Sequence, residues 1–100
     1  MAFGISRSEL NEWKRKCKQG EIAYLTHYWL DPRFEGLKTV TKVGCCDLDR
    51  LQDWCKEYSL NPAYIHHRDQ YPHYDLLGKK QLEVLNNENL TDHLVRFKLI

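Results

Sequence analysis

Apolar positions fall at helical spacing in four stretches of the chain and at strand spacing in three others. Ser6-Arg7-Ser8-Glu9 has the spacing of a capping box, and Leu10, Trp13 and Cys17 follow at i, i+3 and i+7 before Gly20. The pattern predicts a first helix over about residues 7 to 19. From Glu21 to Leu30 the chain is rich in aromatic and branched residues on both parities, as in a strand covered on both faces. Asp31-Pro32-Arg33 is a turn, and Lys38-Thr-Val-Thr-Lys-Val43 alternates polar with apolar before Gly44, as in a half-buried strand. Leu48, Leu51, Cys55 and Tyr58 lie on one helical stripe, with Asp47 and Asp49 near its positive end. They predict a second helix over about residues 47 to 58.

Asn61-Pro62 ends that helix, and Ala63-Tyr64-Ile65-His66 reads as a short strand. Leu82 and Leu85 suit a third helix over about residues 77 to 87, and Leu90, Leu94 and Phe97 a last one capped by Thr91. The expected fold is a small α/β domain over residues 1–100. It has three strands in an at least partly parallel sheet, packed with about four helices. The strand–helix–strand order implies a right-handed parallel crossover. In such sheets ligands favour the carboxyl ends of the strands, which would gather Gly44, Cys45 and the loop from His66 to Asp75. The first two strands are joined too tightly for a parallel crossover. If they form a hairpin, His27 is expected to lie away from that edge.

The segment from Tyr64 to Asp75 holds three of the chain's five histidines, His66, His67 and His73, with Arg68, Asp69 and Asp75. The spacing His-x-Asp occurs twice, at His67/Asp69 and His73/Asp75. In extended chain such pairs point to one side, and Tyr74 would point the other way, toward the core. The cluster admits three readings. It holds a divalent metal as cofactor, imidazole and carboxylate suiting zinc, manganese or iron(II), although no standard metalloenzyme motif is matched. Or a histidine acts as acid or base with a carboxylate fixing its tautomer and Arg68 clamping an anion. Or the polar groups satisfy one another and order a loop.

Other features carry less. Cys45-Cys46 before a helix suggests an activated thiol, but Asp47 and Asp49 oppose a thiolate there. Cys17 and Cys55 lie on apolar stripes and read as core. A net charge of +1 excludes a strong electrostatic footprint for nucleic acid. Trp13-Lys14-Arg15-Lys16-Cys17-Lys18 still offers a basic helix flank. Tyr24, Tyr28 and Trp29 could stack bases, although a covered strand explains them more simply. The start of the chain lacks the pattern of a signal peptide, and no apolar run approaches the ~20 residues of a membrane span. Four cysteines are then expected as reduced thiols in the cytoplasm.

Ser6 to Leu10, Leu25 to Phe34, Thr39 to Cys45, Ile65 to Asp69 and Pro72 to Gly78 together resemble the YneQ-like proteins, short bacterial proteins similar to this chain from end to end. More distantly, the helix with Asp47 and Leu51, the aromatic segment after it and Pro72-His73-Tyr74-Asp75 are similar to a phage and bacterial domain family with a near-terminal His-Tyr-Asp motif. That family has an aspartate in its first strand and a Cys-His pair in its second. This chain has Thr26-His27 and Lys42-Val43 there, so only His73, Tyr74 and Asp75 carry over. The resemblance implies a fold and a site location and supplies no activity.

The expected function is therefore a small cytoplasmic enzyme or ligand-binding domain for an anionic molecule, with phosphorylated molecules among the candidates. His67, Asp69, His73 and Asp75 are the expected catalytic residues, with Arg68, His66 and Tyr74 as ligand contacts. The competing expectation is a non-catalytic module that touches nucleic acid or protein through its basic first helix. Neither a membrane partner nor an oligomeric state is indicated.

Overall fold

The structure, a computed structural model, describes residues 2–30, 37–67 and 71–99. After a two-residue strand β1, Ala2–Phe3, the capping box forms as its sequence requires. Ser6 Oγ accepts from the Glu9 amide at 3.1 Å, and Glu9 Oε1 accepts from the Ser6 amide at 3.1 Å. This starts α1, Arg7–Lys18. Strands β2, Ala23–Leu30, and β3, Leu37–Gly44, then pair antiparallel along their full length. Asp47 caps α2, Leu48–Glu57, by accepting from the Arg50 amide at 3.2 Å.

The expected strand at 63–66 is instead a single 3-10 turn, Pro62–Tyr64. Asn61 Oδ1 accepts from the Ala63 amide at 2.9 Å, and Pro62 supplies a backbone angle already suited to a helical turn. The strand that follows β3 in the sheet is β4, His73–Leu76, within the segment expected to be a loop. It is succeeded by α3, Gly78–Asn87, and α4, Thr91–Arg96. Thr91 is the first residue of α4 rather than its cap, which is Leu90 without a side-chain bond.

The sheet is antiparallel throughout, in the order β1-β2-β3-β4, which corrects the expected partly parallel sheet. The crossover fails because α2 does not lead straight into the next strand. The chain runs on past the 3-10 turn and returns to where it left β3. There the Cys45 amide donates to the Pro72 carbonyl at 3.1 Å, and Gly44 pairs with His73. With neighbours in chain order there is no switch point of the kind that places ligands in parallel sheets.

Strand register fixes two faces. Tyr24, Thr26, Thr41, Val43, Tyr74 and Leu76 share one, beneath α2, α3 and α4; Ala23, Leu25, His27, Val40, Lys42, Gly44, His73 and Asp75 share the other. The first face carries the main core with Leu51, Trp54, Cys55 and Val84. It also carries a buried polar chain. Thr39 Oγ1 donates to Gln81 Oε1 at 3.2 Å, Gln81 Nε2 donates to Thr41 Oγ1 at 3.0 Å, Thr41 and Thr26 hydroxyls meet at 2.7 Å, and Thr26 Oγ1 lies 2.8 Å from His93 Nδ1. The hydroxyl protons of Thr41 and Thr26 both find acceptors within that chain when the bonds run toward His93 Nδ1 as acceptor. Among the described residues the second face is covered in part, by α1. Trp13 and Cys17 pack on Ala23 and Leu25, and Trp13 Nε1 donates to the Ala23 carbonyl at 3.1 Å.

Candidate functional site

Because α1 covers one end of its face, the other end is left as an open groove of about 390 Å³ lined by His27, Trp29, Val40, Lys42, His73, Asp75 and Leu77. This is within the size range of small-molecule sites. His73 and Asp75 arrive there as adjacent same-side residues of β4, as the His-x-Asp spacing required. Lys42 comes from β3 opposite Asp75, and His27 from β2 opposite Val40. The first two strands do form a hairpin, yet His27 is not remote. Antiparallel return of β4 puts the His/Asp pair on His27's side of the sheet.

His66 joins from outside β4. It exchanges two backbone hydrogen bonds with His73, at 2.8 and 3.0 Å, in an isolated bridge. The two imidazoles stack with centroids 5.1 Å apart and 23° between planes. Asp75 lies between their edges, with His66 Nε2 3.4 Å from Oδ2 and His73 Nε2 3.8 Å from Oδ1. His73 Nδ1 lies 2.9 Å from the Tyr71 carbonyl, which can only accept, so that nitrogen carries the proton and Nε2 faces Asp75. Burial holds the His73 pKa below the ordinary histidine value, against the opposing pull of the Tyr71 carbonyl and Asp75.

His27 is 6% exposed. Its Nδ1 donates to the Tyr28 carbonyl at 2.9 Å, again directing the bare nitrogen of the neutral ring to Nε2. Among the described residues, His27 Nε2 is the buried side-chain polar atom without a hydrogen-bond partner. Leaving such an acceptor unpaired costs roughly 1–3 kcal/mol, and native folds rarely bear that without use. Burial also lowers the His27 pKa, and the Lys42 charge adds to the effect. The Lys42 ammonium sits 5.8 Å over the Trp13 ring, whose edge meets His73 at 6.5 Å.

Not every expected residue is brought into the groove. His67 is exposed and does not line it. Arg68 and Asp69 lie outside the described residues, and with them the His67/Asp69 pair. Tyr74 is on the opposite face, its ring 6.3 Å from that of Trp54, as its alternation with His73 demands. Among the described residues no group of three or more His, Cys, Asp or Glu is arranged to hold a metal ion. Cys45 is buried on the helix-covered side and its thiol pKa is raised by burial, the reverse of an activated nucleophile. Cys17 is pushed up to about 12 and Cys55 to about 11 by burial. The basic flank of α1 is partly engaged within the fold: Lys14 and Lys18 reach over the Tyr71 ring at 5.6 and 5.8 Å, and Arg15 pairs with Glu12.

Sequence reasoning missed Lys42, Trp29 and Leu77 as lining residues and left His27 aside. A signal was present: Lys42 has the parity of Val40, opposite to that of Val43, so the alternation that marks β3 as a strand also places Lys42 away from the main core.

Comparison with known proteins gives one near-full-length relative. The chain is 58% identical over 99 residues to the uncharacterized protein YneQ of Bacillus subtilis (strain 168), covering 99% of this chain and 100% of that one. No family model matches the chain. No solved structure matches it either.

Proposed function

We propose, for a chain that belongs to the YneQ-like family of bacterial proteins, that the open groove binds a small anionic molecule and moves a proton on it. The supporting observation is convergence: Lys42, His27, His73 and Asp75 line one groove on the uncovered end of the sheet. In this reading Lys42 holds the anionic group, a phosphate or carboxylate. His73, kept neutral by burial with its Nδ1 donating to the Tyr71 carbonyl, is the acid–base group, and Asp75, facing Nε2, pairs with the imidazolium that forms when that nitrogen takes a proton. His27 Nε2 accepts a hydrogen bond from a protonated oxygen or nitrogen of the ligand. Four free cysteines suit a reducing compartment, and a cytoplasmic location is part of the proposal. Among the described residues no helix is long and apolar enough to cross a membrane.

The test is a backbone-amide NMR titration with inorganic phosphate and a panel of small phosphomonoesters and carboxylates. The expected shifts cluster at His27, Val40, Lys42, Asp75 and Leu77, and Lys42→Met weakens binding about tenfold, the loss of one charge-assisted contact. Unchanged affinity in Lys42→Met, or shifts confined to Lys14, Arg15 and Lys18 on α1, would favour the interaction-module reading.

A further inference from the structure

A second groove, of about 370 Å³, adjoins the first around the end of the sheet. Trp29 and Leu77 line both, so the two share a wall. Beyond that wall the lining keeps polar groups in Lys38, Thr39 and Gln81 but has no histidine or carboxylate, and Trp29, Leu77, Leu82 and Leu99 give it an apolar stretch. Leu77 is 48% exposed, a large apolar side chain left in solvent at the junction. The other large exposed apolar residues among those described, Tyr64 and Val95, line neither groove. Gly78 also lines the second groove, and nothing lies within 4 Å of where its Cβ would stand, so the floor past Leu77 is open. A bare phosphate or carboxylate at Lys42 would cover none of this apolar surface.

Resting on the ligand-site reading above, we propose that the ligand is an amphipathic small molecule: its anionic head lies between Lys42 and His27, and its apolar tail crosses Leu77 into the second groove. The continuity of the two grooves and the apolar stretch from Trp29 and Leu77 to Leu82 and Leu99, next to the cluster of Lys42, His27, His73 and Asp75, select this chemistry. The His27 pairing partner then belongs on the head, close to the anionic group, and the tail contributes by covering Leu77 and Leu82. The same head-and-tail chemistry occurs in a freely dissolved molecule and in a membrane lipid; the groove's small volume suits the dissolved one.

The experiment is calorimetric and NMR titration with inorganic phosphate and with methyl, butyl and hexyl phosphate, repeated with the matching carboxylates, below their micelle-forming concentrations. Affinity is expected to rise about 2- to 4-fold per methylene, the upper figure corresponding to full burial. Amide shifts should extend from His27, Lys42 and Asp75 to Leu77, Gly78 and Leu82. Leu82→Ser, at a residue that lines the second groove and not the first, should flatten the chain-length dependence while phosphate binds as in the parent. Phosphate binding with no dependence on chain length would sink the tail and leave the head-group reading standing; no binding by any member would sink both. A length dependence that persists in Leu82→Ser, or shifts on the α1 side near Trp13 and Phe97, would reveal non-specific adsorption and overturn the proposal. Co-sedimentation with anionic phospholipid vesicles, without affinity for the dissolved series, would also overturn it and identify a membrane headgroup instead.

Discussion

Replacing Gly44 by alanine tests how α1 is seated and, through it, the candidate site. A Cβ at Gly44 would lie 2.3 Å from Trp13 Cζ2 and 2.7 Å from Cys17 Sγ. Carbon atoms in good contact stand about 3.5–4.0 Å apart, so the indole must retreat by more than ~1 Å. It has little room: Trp13 is buried against Ala23 and Leu25, with Tyr71 and His73 at its ring edges. Overpacking of this kind costs about 1–3 kcal/mol, and loss of the Trp13–Ala23 hydrogen bond adds about 1. Reduced freedom of the unfolded chain returns only about 0.4–1 kcal/mol. The net expectation is destabilisation by about 2–3 kcal/mol, or roughly 10 to 20 °C in melting temperature for a domain of this size. Urea unfolding followed by tryptophan fluorescence measures it. The double variant Gly44→Ala with Trp13→Leu should recover part of the loss, since the two changes act on one contact. A midpoint within about 0.5 kcal/mol of the parent, with an unchanged slope, would show that α1 is not wedged on Gly44 as described.

Two further outcomes follow from buried polar groups. His27, His73 and His93 all have pKa values lowered by burial from the ordinary 6.5. The unfolded chain therefore binds protons first as pH falls: stability is full above about pH 6.5 and is lost below it, by at most ~1.4 kcal/mol per pH unit for each histidine. Equal urea midpoints at about pH 7.5 and about pH 5.5 would contradict the neutral, buried assignment. Thr41→Val keeps the shape but strips Gln81 Nε2 and the Thr26 hydroxyl of their shared partner; it should destabilise by roughly 1–3 kcal/mol in the same urea assay, and a more stable variant would mean the polar chain costs as much as it contributes.

Helices were legible because their signals are local. The Ser6–Glu9 capping box and the stripe Leu48-Leu51-Cys55 each declare themselves within one or two turns, whereas Asp47, read only as a charge near the positive end of the second helix, proves to be its cap. Direction of strand pairing is a long-range property. It depended on whether the chain from Ser59 to Pro72 carries on away from β3 or doubles back, and Pro72 meeting Cys45 is a contact no local pattern encodes. The site was half legible for the same reason. The His73/Asp75 spacing foretold a shared side, and Tyr74 fell on the other. That Lys42 and His27 complete the groove followed only from the antiparallel return of β4.

The rims of the sheet have a bearing on how the molecule behaves at high concentration. Among the described residues β1 shields β2 at Tyr28 and Trp29, and His66 shields β4 at His73. Behind the first of these guards runs Ala23-Tyr-Leu-Thr-His-Tyr-Trp-Leu30, eight residues without a formal charge at neutral pH. Clipping the chain after Phe3, or distorting its start with a rigid fusion, would bare backbone donors and acceptors on an aromatic, β-prone strand, the configuration from which intermolecular strand pairing and fibril growth begin. The two residues of β1 thus act as gatekeepers against self-association, and a purification tag is better placed away from them.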